Sequence, residues 1–376
     1  MRRRRRAFVW IAGIFVALLT SWLIWTERHP ERERDLRIAV QDHLDAWVFD
    51  ELEPPAALFG FIERSPGDGR VLPRDTPPLT ESALAERNRA PQVVLLHGLD
   101  EPGGIWTVLL PALAEAGLVA WEFRYPNDQG IDRSAELLAS AWAALPNSEP
   151  VYLVGHSMGG LVIRDFVSRL RYPDGSTTAV AETAGPPVGG AILVGTPNQG
   201  SDWARFRAWL ELRELLATVP RGEFSLLAGL REGTGAAKID LRPGSRFLDA
   251  LNDRRWPDAV PMRIIGGVIT EPTPAMRRSM GALGAELGSG ELAEQLIGWW
   301  DELGDALGDG VVTVESLQVP GQPAPVVVAA SHRGLLTDSR IDPIDDADAD
   351  ESETPPAVPV VLEWLREWIR DDAASR

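Results

Sequence analysis

Residues 151–162, VYLVGHSMGGLV, join a short β-branched run to a serine flanked by glycines and then to a helix-forming run. The G-x-S-x-G spacing is typical of a sharp turn from a strand into a helix, because a Cβ on either glycine would crowd the turn. The serine at the tip of such a turn lies beside the unpaired N–H groups of the first helical turn, which suit a developing oxyanion. The pattern therefore predicts that Ser157 is a nucleophile, although so short a motif also arises by chance and needs partner residues to support it.

A serine hydroxyl needs a base to take its proton, and the chain has only five histidines. Four of them precede the catalytic region or lie inside glycine motifs, namely His29, His43, His97 and His156. The fifth, His332, follows the apolar run 325–330, which is typical of a buried strand. We therefore predict that His332 is the general base, the alternative being a hydrogen-bonded loop histidine without a catalytic role.

The partner acid is predicted from a glycine turn. Asp309 lies between Gly308 and Gly310 and precedes the apolar run 311–314, where a buried carboxylate can face an imidazole. Three other aspartates remain alternatives: Asp301, Asp305 and Asp338. The first two are spaced four residues apart on a predicted helix and are more typical of its solvated face, so we favour Asp309.

The chain order Ser157, Asp309, His332 is the order expected of the α/β-hydrolase arrangement. Five segments together resemble the lipase branch of that family: the strand ending in His97-Gly98-Leu99, the GHSMGG elbow at 155–160, GTPNQGS at 195–201, DGVV at 309–312 and Ser331-His332. The resemblance covers about residues 91–370. One position departs from it, because the lipase pattern usually has histidine where this chain has Asn198.

The resemblance implies roles for further residues. The backbone N–H groups of Leu99 and Met158 would form the oxyanion hole, His97 would hold its loop by hydrogen bonding, and Asp309 would orient His332. Asn198 would line the site without joining the triad. The difference from the family pattern at this position therefore bears on which substrate is bound and does not change the mechanism.

Composition limits the other classes of function. At 376 residues and 44% apolar content, the chain can bury one large core, and an α/β enzyme often uses ~250 residues or more as one domain. The formal net charge of −18 excludes a nucleic-acid partner, because phosphate binding needs clustered cations and the only such cluster is Arg2 to Arg6.

Cysteine is absent, so neither a disulfide nor a zinc–thiolate site can form. We expect no metal or organic cofactor, and the sequence indicates no oligomeric state.

Residues 7–25 carry no charge, and ~19 residues of helix cover about 28 Å, enough to span the hydrocarbon core of a bilayer. The five preceding arginines favour a cytoplasmic amino terminus and an extracytoplasmic catalytic domain. A cleaved signal peptide, leading to a secreted protein, is the alternative. It is disfavoured because Trp22 to Trp25 is bulky throughout and offers no small-residue cleavage site.

We predict three parts: a cytoplasmic tip and transmembrane anchor at 1–26, a juxtamembrane helix and Pro-rich linker at 27–90, and a catalytic domain at 91–376. Apolar residues at helical spacing between 31 and 53 predict an amphipathic helix that lies either on the membrane or on the domain. Residues 54–78 are rich in proline and turn residues, which favours a linker with one hairpin at most.

The catalytic part alternates strands and helices as a doubly wound, mostly parallel sheet does. Strands are predicted at 92–96, 118–123, 151–154, 190–194, 262–269 and 325–330, and helices at 105–116, 131–145, 159–171 and 358–370. A cap insertion is predicted at about 198–260, beginning with an apolar helical face at 203–216, and a second insertion at 271–308. The acidic run within about 341–356 is typical of a solvated loop.

These patterns predict a membrane-anchored serine hydrolase that cleaves carboxylic esters, most simply those of lipids, through an acyl-enzyme. Two alternatives remain open. The same triad would serve a thioesterase or acyltransferase, and a catalytically silent hydrolase fold could act as a binding protein.

Overall fold

The structure is a computed structural model, and it describes residues 21–22, 24–47, 57–60, 90–99, 104–145, 149–175, 185–201, 235–269, 308–337 and 354–375. Several predicted features lie outside these ranges: most of the uncharged stretch 7–25, the apolar helix at 203–216, nearly all of the second insertion, and the acidic run. Within the described residues, no helix is both long enough and apolar enough to cross a membrane.

Within these ranges, seven strands form one sheet in the order β1-β3-β2-β4-β5-β6-β7. The strands are β1 (Ala57–Gly60), β2 (Val93–Leu96), β3 (Ala120–Arg124), β4 (Val151–His156), β5 (Val188–Val194), β6 (Met262–Val268) and β7 (Val326–Ala329). All neighbouring pairs are parallel except β1 with β3. The prediction of a mostly parallel, doubly wound sheet is confirmed.

Helices cover both faces of this sheet. They are α1 (Pro30–Trp47), α2 (Leu109–Glu115), α3 (Ile131–Trp142), α4 (Met158–Asp165), α5 (Ala236–Asp240), α6 (Arg246–Asp253) and α7 (Ala357–Ala374). Side chains of α3, α4 and α6 pack on one face and those of α2 and α7 on the other. Every residue of β4 is buried, because a central parallel strand covered on both faces has no solvated side.

Two predicted helices differ from the structure. The helix expected at 105–116 is a 3₁₀ turn at Gly104–Trp106 followed by the separate α2. The helix expected at 159–171 begins one residue earlier and is α-helical only to Asp165, after which Phe166–Arg171 is π-helical. Apolar periodicity reports which face is buried, and it does not distinguish between these hydrogen-bonding patterns.

The stretch interpreted as a linker contains a strand of the sheet. Residues 57–60 form β1, which pairs antiparallel with β3, Ala57 opposite Arg124 and Gly60 opposite Trp121. The four residues ALFG lie among prolines and turn residues, and nothing local marks them as a strand. Their partner lies about 60 residues further along the chain, so the pairing is non-local.

The amphipathic helix α1 lies on the domain. Arg34 donates to Asp240 on α5 at 2.5 Å and to Asp132 on α3 at 2.8 Å. The Asp240 side chain is 1% exposed, so this contact buries a charged pair and is specific in geometry. The sequence left open whether this helix contacts the membrane or the domain, and the structure shows contact with the domain.

The turn between β4 and α4 fits only because glycine stands at three positions. A Cβ at Gly155 would lie 2.6 Å from the backbone N of Gly160, and one at Gly159 would lie 2.3 Å from the carbonyl oxygen of Leu96. A Cβ at Gly160 would meet the Thr196 Oγ1 at 2.0 Å. The start of α4 therefore lies directly against the ends of β2 and β5.

We predict that Gly159→Ala lowers the free energy of unfolding by about 3 kcal/mol or more, because the clash is with backbone atoms that cannot rotate away. Gly117→Ala is the matched control: its Cβ meets open space, and only the positive φ of 75° costs free energy, about 1 kcal/mol. Urea unfolding followed by circular dichroism measures both. Equal losses in the two variants would contradict the packing argument.

Candidate active site

Ser157 lies at the tip of the turn between β4 and α4. Its φ is 54° and its ψ is −126°, and among the described residues it is the one non-glycine with a positive φ. Such a conformation costs about 1–3 kcal/mol and persists where the surroundings enforce it, which occurs most often at functional sites. The Ser157 N–H donates to the carbonyl oxygen of Val194 at 2.8 Å, which ties the turn to the end of β5.

Two glycines from neighbouring loops complete the surroundings of this serine. A Cβ at Gly98 would lie 2.8 Å from the Ser157 Cβ and 3.3 Å from its Oγ. A Cβ at Gly195, the residue after Val194, would lie 3.2 Å from both Cε1 and Nδ1 of His332. The loops that follow β2, β4 and β5 therefore meet at one edge of the sheet, with Ser157 and the His332 ring beside them.

Asp309 is buried, and both of its carboxylate oxygens are hydrogen-bonded. Oδ1 accepts from the backbone N–H groups of Val311 at 2.9 Å and Val312 at 2.7 Å. Oδ2 lies 2.8 Å from the Nδ1 of His332, and the His332 N–H donates to the Asp309 carbonyl oxygen at 2.9 Å. Gly267 on β6 makes room, since a Cβ there would lie 2.9 Å from the Asp309 Cβ.

These hydrogen bonds specify the proton on the imidazole. An ionised carboxylate is acceptor-only, so the His332 Nδ1 carries the proton that it donates to Oδ2. The Nε2 of the neutral ring is then left with a lone pair, as a base requires. The structure thus brings Asp309 and His332 together as the sequence predicts, whereas Asp301, Asp305 and Asp338 lie outside the described residues.

His156, which precedes Ser157 in the glycine turn, contacts the predicted base directly. Its ring centroid is 4.8 Å from that of His332, and its Nε2 lies 3.1 Å from the His332 carbonyl oxygen. Burial, together with the neighbouring His332, holds the pKa of His156 well below its usual value. The ring is therefore neutral, and as a donor to the carbonyl oxygen it fixes the backbone of His332. Sequence patterns gave no signal for this contact beyond adjacency to Ser157.

The residues predicted to supply the oxyanion hole lie at the same edge. Met158 is the buried first residue of α4, and Leu99 is half-buried just after Gly98. The loop that carries Leu99 is held by Tyr125, whose hydroxyl donates to the His97 carbonyl oxygen at 2.6 Å and whose ring stacks on His97. His97 itself lies with Nδ1 2.9 Å from the Gly98 carbonyl oxygen. Tyr125 was not anticipated, because it depends on contact between two strands.

Asn198, the position that departs from the family pattern, is fully buried. Its amide donates to the Leu317 carbonyl oxygen at 2.7 Å and accepts from Arg164 at 3.1 Å. Ser201 and Ser316 add hydrogen bonds between the same two loops, to the carbonyl oxygens of Val311 and Gly200. Asn198 therefore joins the loop after β5 to the segment that carries Asp309, and does not line the site as the resemblance implied.

The described residues contain no group of three or more histidine, aspartate or glutamate side chains arranged to hold a metal ion. Asp309 and His332 are instead hydrogen-bonded to each other, and Asp309 also accepts from backbone N–H groups. This arrangement can transfer a proton from a serine hydroxyl to an imidazole.

Sequence comparison matches the chain to the Alpha/beta hydrolase family over residues 93–299, more than half of its length. A comparison with curated protein sequences finds no significant match.

Several solved structures are similar to this one at low sequence identity. A metagenomic carboxyl esterase is 17% identical with a TM-score of 0.49, over 88% of this chain and 90% of that chain. A lipase from Staphylococcus hyicus is 15% identical with a TM-score of 0.44, over 77% and 98%. A mature lipase from Bacillus licheniformis is 15% identical with a TM-score of 0.41, over 74% and 93%.

We predict that Asp309→Asn lowers kcat/KM for ester hydrolysis by about 10³ to 10⁴ while the protein folds normally. The asparagine oxygen must take the Oδ1 position to accept from Val311 and Val312, so its NH₂ group faces the His332 Nδ1. The imidazole then carries its proton on Nε2 and cannot act as a base. Steady-state kinetics measure kcat/KM, with Asp305→Asn and Asp338→Asn as matched controls. If either control loses the activity and Asp309→Asn does not, the assignment of the acid is wrong.

Proposed function

Because the chain belongs to the Alpha/beta hydrolase family, we propose that it is a serine hydrolase that cleaves carboxylic esters with Ser157, His332 and Asp309. One observation carries the proposal: the Asp309–His332 hydrogen bond lies at the edge of the sheet where Ser157 is held at a positive φ. Acyl transfer by a serine requires a nucleophile, an imidazole held in one orientation and a buried carboxylate. Here the candidates are a strained serine, His332 and Asp309, on three separate loops.

In the proposed reaction, the Ser157 hydroxyl attacks the ester carbonyl carbon while His332 Nε2 takes its proton. The resulting imidazolium is stabilised by the ionised Asp309, which both Val311 and Val312 N–H groups hold in place. Collapse of the tetrahedral intermediate passes the proton from Nε2 to the leaving alcohol and gives the acyl-enzyme. A water molecule then repeats the cycle, losing its proton to His332, and releases the carboxylic acid.

The N–H groups of Leu99 and Met158 are proposed to bind the oxygen that becomes negative in each tetrahedral intermediate. Support comes from the contact of Gly98 with Ser157 and from the position of Met158 at the start of α4, where N–H groups have no partner inside the helix. A developing charge is stabilised most when its donors are already fixed. Tyr125 supports this role by fixing the loop that precedes Leu99.

Lipid esters are the proposed substrate class. The uncharged stretch 7–25 would keep the enzyme at a membrane, and the apolar helical face that the sequence predicts at 203–216 would suit contact with an acyl chain. A thioester or an acyl acceptor other than water would use the same residues, and a survey of acyl substrates distinguishes these cases.

The anchor and its orientation are also part of the proposal. Residues 7–25 are proposed to span the membrane once, with the five arginines in the cytoplasm and the catalytic domain outside. The length of the uncharged stretch supports insertion, and the charge difference between its flanks supports the orientation.

We predict that Ser157→Ala and His332→Ala each lower ester turnover by about 10⁴ or more, with little further loss in the double variant, because the two residues act as one unit. Ser140→Ala and His43→Ala, both exposed and outside the proposed triad, serve as matched controls with unchanged turnover. Labelling by a fluorophosphonate probe should disappear in the Ser157 and His332 variants, which lack the nucleophile and its base, and persist in the two controls. A folded Ser157→Ala protein that keeps a tenth of the activity refutes the hypothesis, as does an unlabelled wild type.

We predict that the full chain stays in the membrane fraction through high-salt and carbonate washing, because an inserted helix does not depend on screened charge. Protease added to spheroplasts should digest the catalytic domain. Release of a soluble form that lacks about 25 residues would indicate a cleaved signal, and protection from external protease would refute the orientation.

A further inference from the structure

His156 lies between the two residues of the proposed proton transfer. It is the last residue of β4 and directly precedes Ser157 in the chain. Its Nε2 lies 3.1 Å from the carbonyl oxygen of His332, and the centroids of the two rings are 4.8 Å apart. The residue is 1% exposed, so it is almost entirely enclosed. One side chain therefore connects the turn that carries the nucleophile to the loop that carries its base.

Two further hydrogen bonds of His332 lead to the acid. Its ring Nδ1 lies 2.8 Å from Oδ2 of Asp309, and its backbone N–H donates to the Asp309 carbonyl oxygen at 2.9 Å. Both bonds fix the base relative to the carboxylate. The bond from His156 differs from them, because it fixes the base relative to the serine turn. A general base acts only within about 2.6–3.2 Å of the group whose proton it takes, so the distance from serine to imidazole must be held by contacts of this kind.

The hydrogen bond also specifies where His156 carries its proton. A carbonyl oxygen only accepts, so Nε2 carries the proton and Nδ1 keeps a lone pair. That Nδ1 is buried and has no hydrogen-bond partner among the described residues. A buried acceptor without a partner costs free energy, and an apolar side chain of similar size would fill the same space without that cost. The Nε2–H donor, and not the filling of space, therefore distinguishes histidine at this position.

The charge of His156 matters as well. When His332 takes the serine proton it becomes a cation, and a second cation at a centroid distance of 4.8 Å would oppose that step. Burial, with His332 and His97 acting in the same direction, holds the pKa of His156 well below its usual value. His156 is thus a neutral donor that holds the base without opposing its protonation.

We propose that His156 is a positioning residue of the reaction: its Nε2–H holds the backbone of His332 and so sets the distance between Ser157 and the imidazole that takes its proton. This inference rests on the proposed function and adds a fourth residue, which affects the rate without touching the substrate. Because a displacement of about 1 Å in such a geometry costs on the order of 10²-fold in rate, loss of the bond should lower kcat by about 10- to 100-fold.

Two substitutions of similar shape separate the hydrogen bond from the packing. His156→Gln places an amide nitrogen near the position of the imidazole Nε2 and keeps a donor, whereas His156→Met fills similar space and has none. With a water-soluble short-chain ester, His156→Met should lower kcat and kcat/KM equally, by about 10- to 100-fold, because the bond acts in the transition state and not in binding. His156→Gln should stay within about threefold of the wild type. Equal losses in the two variants, or a higher KM with kcat unchanged, overturn the inference.

Two more variants serve as matched controls. Asparagine carries the same amide as glutamine on a shorter side chain that does not reach the His332 carbonyl oxygen, so His156→Asn should lose kcat as His156→Met does. Ser168 also donates from a buried side chain to a backbone carbonyl, that of Arg164 at 2.7 Å, and is outside the proposed triad. Ser168→Ala should lower the urea midpoint of unfolding and leave kcat unchanged. A fully active Asn variant, or a Ser168→Ala variant that loses as much kcat as His156→Met, counts against the inference.

The hydrogen bond can also be measured in the wild-type full chain, so the test does not depend on whether the variants fold. With ¹⁵N-labelled histidine, NMR should show one neutral ring with its proton on Nε2, exchanging slowly with water, from about pH 5.5 to 8. This ring is His156, because His332 and His97 have Nδ1 beside an oxygen acceptor, and His29 and His43 are exposed and exchange their ring protons rapidly. If no such ring is observed, the hydrogen bond is absent and the inference is wrong.

The readouts separate this inference from the proposed function. Fluorophosphonate labelling and ester turnover, compared between the wild type and Ser157→Ala, report the nucleophile. A wild type that is neither labelled nor active refutes the proposed function. A labelled and active wild type whose His156→Met variant keeps its kcat refutes only the role of His156.

Discussion

The close backbone contact between the start of α4 and the end of β2 is the constraint on which the serine edge depends. A Cβ at Gly159 would lie 2.3 Å from the Leu96 carbonyl oxygen, so the helix can begin there only if that position has no side chain. The turn before the helix must then be very short, and Ser157 takes a φ of 54° as a result. The strain at one residue is thus maintained by packing at its neighbours.

A second dependence links the loops that hold Asp309 and His332. Oδ1 of Asp309 is occupied by two backbone N–H groups, so only Oδ2 is available to the imidazole. Hydrogen bonds from Ser201 to Val311 and from Asn198 to Leu317 join the segment that carries Asp309 to the loop after β5, whose Gly195 lies close to the His332 ring. The relative position of acid and base is therefore set by three loops together, and the neutral His156 supports the base from the remaining side.

The sequence predicts the features that depend on local pattern. The alternation of apolar runs locates the strands of the parallel sheet, and the glycines around Ser157 locate the turn. The pairing of Asp309 with His332 was predicted because few histidines compete and a glycine turn precedes an apolar run. The catalytic roles of Ser157, His332 and Asp309, and the oxyanion roles of Leu99 and Met158, remain predictions that rest on the geometry around them.

The features that the sequence does not predict depend on contacts between distant residues. Arg34 pairs with Asp132 and Asp240, which are 98 and 206 residues away, and no local periodicity encodes such a partner. His156 supports His332 across 176 residues. The strand β1 was interpreted as linker for the same reason, because four residues among prolines gain their structure only from the edge of β3.

That edge strand has a consequence for any shortened form of the protein. A chain that begins near residue 90 would contain the whole region matched to the family, yet it would lack β1. The backbone N–H and C=O groups of β3 that now pair with β1 would face solvent along one side, as a template for a strand from another molecule. Among the described residues, the amino-terminal segment therefore pairs the backbone groups of β3 that a shortened chain would leave exposed, and β1 takes its place as the outermost strand.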